Sequence, residues 1–282
     1  MRIFTDRRLV TRLGRMIGLY LLLSLVSLLF VGPFLLLLST SLKSSEQSVT
    51  SFPPELFPLP PVLDYFIEAW TTIPYPLYLL NSCLYVLLTV PAYLVVSALT
   101  AYPLARYSFR GRGFFFILFL STMFLPGELM LIPLFITTNQ LSLTDTYAGV
   151  ALPSILGAFG IFLLRQAFTQ IPTELYEAAR IDGAGEWRIF ARIAVPLVMP
   201  TIAVLAILGF ISVWNSFIWP MIVLTDQSKY PIALGIAYLT GISGNNIRSL
   251  AAGTVISLVP VVIMFLAMQR HILSSMTGAV KG

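Results

Sequence analysis

An all-α membrane fold of six transmembrane helices is predicted by three features of this 282-residue sequence. Apolar residues make up 57% of the chain and charged residues 10%, against about 25% charge in an ordinary soluble domain. The apolar residues fall into runs of membrane-spanning length separated by polar gaps, which suits repeated bilayer crossing better than one large core. Lys and Arg collect in alternate gaps, as in a chain threaded back and forth through a bilayer. The runs are continuous and do not alternate apolar with polar, so a β-barrel is excluded.

The first run, Ile17 to Leu42, follows a basic tail over 1–16 that carries Arg2, Arg7, Arg8, Arg12 and Arg15. Such a start resembles a signal peptide. The run is longer than a signal core and has no small-x-small cleavage site, so it reads as a retained helix. The remaining spans are Leu77 to Leu99, Gly113 to Phe135, Ala148 to Phe168, Pro200 to Leu224 and Ala251 to Gln269. Pro33, Pro91, Pro126, Pro133, Pro153, Pro220 and Pro260 lie within them and predict kinks or breaks whose freed carbonyls face protein or a cavity. The proline- and aromatic-rich segment 44–75 reads as an ordered outer cap with one short helix near Leu63 to Trp70, serving as a surface connection or a docking element.

Placing the N-terminus in the cytoplasm leaves only Lys43, Lys229 and Arg248 outside, and puts both termini inside, with a C-terminal tail over 270–282. Topology therefore accounts for the net charge of +5 without a nucleic-acid partner. Cys83 and His271 are each the only residue of their kind. They leave no disulfide framework, metal cluster or Ser-His-Asp arrangement, so no catalytic, metal or cofactor residues are assigned. No G-x-x-x-x-G-K-[ST] sequence is present, and Gly183-Ala-Gly185 lacks the lysine and partner glycine of a phosphate cradle.

Polar groups inside apolar spans face a bundle interior, because unsatisfied polar atoms in lipid are costly. Asn81, Glu128, Ser212 and Asn215 are candidates for a translocation path on that ground. Glu128 has the alternative of capping a broken third span. Trp214 and Trp219 could stack on a sugar face or fill an interhelix seam.

The informative cytoplasmic segment is 171–196. Pro172 suits a helix start, Glu174 sits near its positive end, Glu177-Ala178-Ala179 continue it, and Gly183 ends it at a turn that needs positive φ or close backbone approach. A second short helix follows, with Trp187, Phe190, Ala191 and Ala194 on one stripe. Residue chemistry alone leaves two readings open. One is a docking helix; the other is an interfacial loop with Glu177 and Arg180 paired three residues apart.

Glu177-Ala178-Ala179, Asp182-Gly183-Ala184, Phe190, Ile193 and Pro196 resemble, in order and spacing, the EAA loop of bacterial binding-protein-dependent ABC importer permeases. Val195 stands where that loop usually has leucine. Asn81-Ser82, Met123 to Glu128 with Ile132-Pro133, Phe162 to Gln166, Trp214-Asn215, Trp219-Pro220 and Gly278 to Gly282 extend the resemblance to the carbohydrate-type branch, on the side of the six-helix maltose permease chain. It covers about Ile17 to Gly282.

The resemblance implies a type I ABC importer (MetI-like) permease core over 17–282 in a bacterial inner membrane. It implies a second, different permease chain, two separate ATPase subunits that hold ATP and Mg, and an extracytoplasmic solute-binding protein. The chain itself is then no enzyme, and its solute is a sugar, an oligosaccharide or a related polar molecule. Glu177, Ala178, Ala179, Asp182, Gly183 and Ala184 are implied to couple to the ATPase, and Ala279, Val280, Lys281 and Gly282 to reach it from the C-terminus. Importers of glycerol phosphate or amino acids share the superfamily. An ion-driven secondary transporter is the remaining rival, although no inverted repeat supports it.

Overall fold

The computed structural model describes residues 4–53, 55–242 and 246–278, and the regular structure among them is helical throughout. Three helices are long and apolar enough to cross a membrane, and six spans result when three bent helix pairs count as one each.

One compact unit comprises residues 1–72 and 239–256. Its helix α1, Phe4–Leu42, already begins within the basic tail, and the spanning part is Arg15–Leu42. The segment after it is ordered by side chains that bond to loop carbonyls. Ser39 donates to Leu56 O at 2.6 Å, and Gln47 binds Phe57 O at 3.2 Å and Leu59 N at 3.0 Å. Lys43, only 3% exposed, donates to Ser48 O at 3.0 Å. Arg248 donates to the carbonyls of Ser45 and Gln47. The short helix expected near Leu63 to Trp70 is α2, Asp64–Thr72, which buries Ala69.

The second unit comprises 73–238 and 257–282 and is built on α3, Tyr75–Arg106. One face of α3 buries Tyr78, Ser82, Tyr85, Thr89, Ser97, Ala101 and Tyr102, at the three- and four-residue spacing of a helix stripe. Against it pack α7, Ala158–Thr169, and α11, Met199–Trp214. Gly160 on α7 permits the close approach, since a Cβ there would stand 2.4 Å from the Tyr93 hydroxyl and 2.7 Å from that of Ser97.

Three of the expected spans are not continuous helices. The third divides into α4, Arg112–Ser121, whose end tightens through a 3₁₀ turn to Phe124, and α5, Gly127–Gln140, and the two parts meet at 106°. Pro126 causes this break: it offers no N–H to the preceding turn and holds Leu125 extended. In the fourth, α6, Tyr147–Ala151, with its 3₁₀ extension through Pro153, bends by 43° into α7 across Ile155 to Gly157.

The fifth run does not extend as one helix from Pro200 to Leu224. It ends at Trp214, where the Asn215 amide caps Ile211 O at 2.9 Å, and a separate α12 forms at Ile218–Val223. On its other side α11 meets Glu186–Leu197 at 74°. Pro33, Pro91, Pro133 and Pro260, by contrast, stay inside helices.

Between spans, α13, Ile232–Ile242, is apolar but has 11 residues, too few to cross. The last helix, α14, runs Ile247–Gly278, with a spanning part of Ile247–Ala267. Residues 279–282 lie outside the described residues.

One corner of this unit is held by Asp145, at φ 57°. Its N–H donates to Val223 O at 2.8 Å, and its carboxylate accepts from Thr225 N at 3.0 Å, Asp226 N at 2.9 Å and Lys229 Nζ at 2.9 Å. These donors, the Asp226 N–H foremost, hold the Asp145 carboxyl down to about 2. A carboxyl depressed below its ordinary value stabilises the fold above that value, and its contribution disappears only as pH falls through about 2. The amides of Thr225 and Asp226 are therefore expected to keep their hydrogen-exchange protection, corrected for intrinsic rate, from pH 8 down to pH 5. Asp145→Ala is expected to raise their exchange at neutral pH several-fold while leaving amides in the middle of α3 unchanged.

Candidate functional site

The segment 171–196 folds as helix, turn and helix. Pro172 stands immediately before α8, Thr173–Ile181, with Glu174 in the first turn where the helix dipole favours a carboxylate. The helix ends at Asp182 with Gly183 at φ 77°. Gly183 N–H bonds Arg180 O at 3.0 Å and Ala184 N–H bonds Ala179 O at 2.9 Å, the paired closure of a Schellman motif. A side chain at Gly183 would meet open space, so the left-handed backbone is what requires glycine.

The next helix is α9, Glu186–Ile189; it widens into a π turn over Phe190–Ala194 and closes with α10, Val195–Leu197. The π turn shifts the side-chain register, so the buried residues are Ile189, Phe190 and Ala194. Trp187 is 69% exposed and Ala191 is exposed, which corrects the stripe expected from simple helical spacing.

Two faces of α8 have separate roles. Tyr176 and Ala179 point into a core formed by Ala98, Ala101 and Tyr102 of α3 with Leu164 and Phe168 of α7. Tyr102 is the centre of an aromatic cluster, with ring centroids 5.4 Å from Phe168, 6.3 Å from Tyr176 and 5.0 Å from Phe190. The Arg106 guanidinium lies 4.2 Å over the Tyr176 ring. The outward face carries Leu175, Ala178 and the 86% exposed Ile181, flanked by the exposed acids Glu174, Glu177 and Asp182. Ala179 thus belongs to the inner face, whereas Glu177, Ala178, Asp182 and Gly183 belong to the outer surface and Ala184 is half-buried.

Glu177 and Arg180 do not pair. Arg180 binds Glu186 instead, with Nε to Oε1 at 2.9 Å and a second N–H on the same oxygen. Tyr107 donates to the other Glu186 oxygen at 2.6 Å, so one carboxylate ties α8, α9 and the residue following α3 together. Glu177 has no hydrogen bond or ion pair among the described residues. Arg112 and Arg165 are occupied locally: both donate to Leu104 O, at 2.8 and 3.1 Å, and cap the end of α3.

The polar residues of the spans divide as clearly. Asn81, 1% exposed, donates to Ser228 O at 2.8 Å and Tyr230 O at 3.0 Å and accepts from the Tyr147 hydroxyl at 2.9 Å. It holds the loop before α13 against α3. Trp214 is 3% exposed and stacks on Phe210 at 5.4 Å. Trp219 donates to Gly149 O at 3.1 Å, and Asn215 caps α11. Glu128 is exposed in the first turn of α5, directly after the break in the third span.

Ser212 opens onto a cleft of about 390 Å³ whose other walls include Thr89, Tyr93, Ser154, Gly157 and Gly209. A narrower arm of about 50 Å³ runs on from Thr89, Ser154 and Ser212 toward Tyr85 and Ser216. Sequence reasoning missed Thr89 and Tyr93, which share a face of α3 as an i, i+4 pair within an otherwise apolar span. It also missed Tyr107 and Glu186, which lie 79 positions apart along the chain.

A family described as "Binding-protein-dependent transport system inner membrane component" matches residues 77–277. The chain is 37% identical to the arabinooligosaccharides transport system permease protein AraQ of Halalkalibacterium halodurans, over 91% of this chain and 93% of that protein. It is 33% identical to the diacetylchitobiose uptake system permease protein NgcG of Streptomyces coelicolor, over 91% and 85%. Its fold is similar to a chain in the crystal structure of a bacterial ABC transporter involved in the import of the acidic polysaccharide alginate, with a TM-score of 0.77, 26% identity, and 92% and 97% coverage.

The Glu186 tie predicts a local effect. In Glu186→Ala, amides of 174–182 are expected to exchange several-fold faster while those of α7 are unchanged. Equal acceleration in both would show that Glu186 supports the whole unit and not the placement of α8.

Proposed function

The chain belongs to the family of binding-protein-dependent transport system inner membrane components, and on that premise we propose that its α8 is the coupling helix through which separate ATPase subunits drive import of a neutral oligosaccharide. It is a multi-pass inner-membrane permease of an ABC importer for sugars. Arabino-oligosaccharides are the first candidates, from the likeness to AraQ.

The observation that carries the reading is the two-sided build of α8. A free acidic and apolar face points outward, while Tyr176 and Ala179 fix the other face to the ends of α3 and α7. An apolar stripe of Leu175, Ala178 and Ile181 with an unpaired Glu177 suits a groove that has an apolar floor and a basic rim. Ala178 keeps the approach close. ATP and Mg belong to the partner subunits, where they supply the energy of hydrolysis. The contribution of this chain is to favour one access state when the docked ATPases close, a population shift driven by differential binding.

The same reading assigns a second, different permease chain as lateral partner, with one ATPase subunit under each chain. The exposed apolar surface of α4 and α5, including Phe124, Leu129 and Ile132, is available to that chain and to lipid. A solute-binding protein docks on the outer loops, and both termini lie in the cytoplasm. Residues 279–282 are proposed to reach the ATPase. Glu128 is proposed to stabilise the start of α5 beside the path, and Asn81, Trp214 and Asn215 to shape the path through the loop and helix they hold. Ser212 faces it directly.

The test is ATP hydrolysis by the complex copurified with this chain and reconstituted in lipid, with arabinotriose and its binding protein added. Loaded binding protein is expected to stimulate hydrolysis, and Glu177→Ala to lower the stimulated rate or the recovery of ATPase subunit at least tenfold. Purification without an ATPase, with flux that follows an ion gradient, would overturn the reading.

A further inference from the structure

We propose that the cleft between α3, the break before α7, and α11 is a binding subsite for an uncharged sugar ring, so that this chain grips its solute as well as transmitting motion. The proposal rests on the importer reading and adds where the solute is held and which solutes are refused. At about 390 Å³ the space is within the range of small-molecule pockets. Its walls combine apolar groups, Val90, Leu208 and Val213 among them, with the hydroxyls of Thr89, Ser154 and Ser212 and the ring of Tyr93.

Several helix hydroxyls are occupied by their own backbone: Ser121, Thr122, Thr137 and Thr169 each donate to a carbonyl three or four residues back, at 2.7 to 2.8 Å. Those of Thr89, Ser154 and Ser212 have no such bond among the described residues. Uncommitted hydroxyls on apolar spans are costly against lipid and favourable against water or a polyol. The non-helical backbone from Ile155 to Gly157 borders the same space, and irregular backbone at membrane depth is tolerated where it lines a water-filled cavity.

Tyr93 is held ready. A Cβ on Gly157 would lie 2.6 Å from its ring and one on Gly209 would lie 3.6 Å from it, so backbone on both sides fixes the ring as a wall of the cleft. No Asp, Glu, Lys or Arg lines the cleft or its narrow arm. A carboxylate or phosphate there would lose its hydration without gaining a counter-charge, so the site favours neutral sugars over uronates and sugar phosphates. The narrow arm of about 50 Å³ is wide enough for water and not for a ring.

The test uses the complete complex in proteoliposomes, with Cys83→Ser as background. Ser212→Cys is treated with the sulfonatoethyl methanethiosulfonate reagent, and the readout is arabinotriose imported per ATP hydrolysed. Misassembly lowers import and hydrolysis together, whereas a blocked subsite lowers the ratio. Modification of Ser212→Cys is expected to reduce the ratio at least tenfold, and saturating arabinotriose with loaded binding protein and ATP to slow the modification. Thr89→Val, which removes a hydroxyl at nearly constant shape, is expected to reduce the ratio at least threefold.

An unchanged ratio in modified Ser212→Cys and in Thr89→Val, with the unmodified complex importing arabinotriose, overturns the subsite and leaves the importer reading intact. Import of trigalacturonate as fast as arabinotriose by the unmodified complex overturns the charge selectivity. A complex that imports no neutral sugar removes both the reading and the subsite.

Discussion

Tyr102 sits where four chain segments meet, and the placement of segment 171–196 depends on it. Its ring touches Phe168 at the end of α7, Tyr176 on α8 and Phe190 in the π turn, and packs edge-on to Tyr107 beyond α3. Aromatic contacts of this kind are directional as well as apolar, so they fix angles that aliphatic packing would leave loose. The small residues Ala98, one turn earlier, and Ala101, immediately before Tyr102, let α7 come close enough for the cluster to form. The Glu186 carboxylate then closes the polar side of the joint, through Tyr107 and Arg180. A short helix that would be marginal by itself is in this way held as part of the bundle.

Lys43, Lys229 and Arg248, the three basic residues that the charge pattern of the sequence sets apart from the others, are each bound within their own unit. Lys43 and Arg248 donate to carbonyls of residues 45–48. Lys229 pairs with Asp145 at 2.9 Å and with Asp226 at 3.2 Å. These bonds stiffen loops that would otherwise lose entropy on meeting a partner.

Much of the fold was legible because membrane insertion imposes long apolar runs, and the start of α8, its stop at Gly183 and the outer helix α2 follow from local backbone chemistry. Proline was a weaker guide. Pro126 and Pro153 mark breaks, but Pro33, Pro91, Pro133 and Pro260 do not, because a neighbouring helix or side chain can compensate for a missing N–H and only the packed structure shows where that occurs. The stripe through Trp187 was misread because a π turn cannot be seen in periodicity. The partner of Arg180 stayed open for a related reason: Glu177 lies on the same helix, while Glu186 reaches Arg180 only across the Schellman turn. Asn81, Trp214 and Asn215 were recognisable as unusual in their spans, but whether such a residue meets solute or neighbouring backbone is decided by its contacts.

The cleft and segment 171–196 pack against the same three helices. Thr89 and Tyr93 lie on α3 a few turns before Tyr102; α7 starts beside Gly157 at the cleft and ends at Phe168 in the aromatic cluster; α11 leaves the core around Tyr102 at Leu205 and reaches the cleft at Leu208 to Val213. The 12 residues of α7 span about 18 Å at 1.5 Å per residue, so a tilt imposed at α8 becomes a displacement of the cleft wall without a change in any helix. Packed helices pass such a motion well because their contacts switch between discrete arrangements and compress little. The breaks at 155–157 and after Leu197 are the places where the shared helices can turn against their continuations. A solute held by hydroxyls on α3 and α11, with Tyr93 between two glycines, would therefore be gripped or released by the same movement that α8 receives.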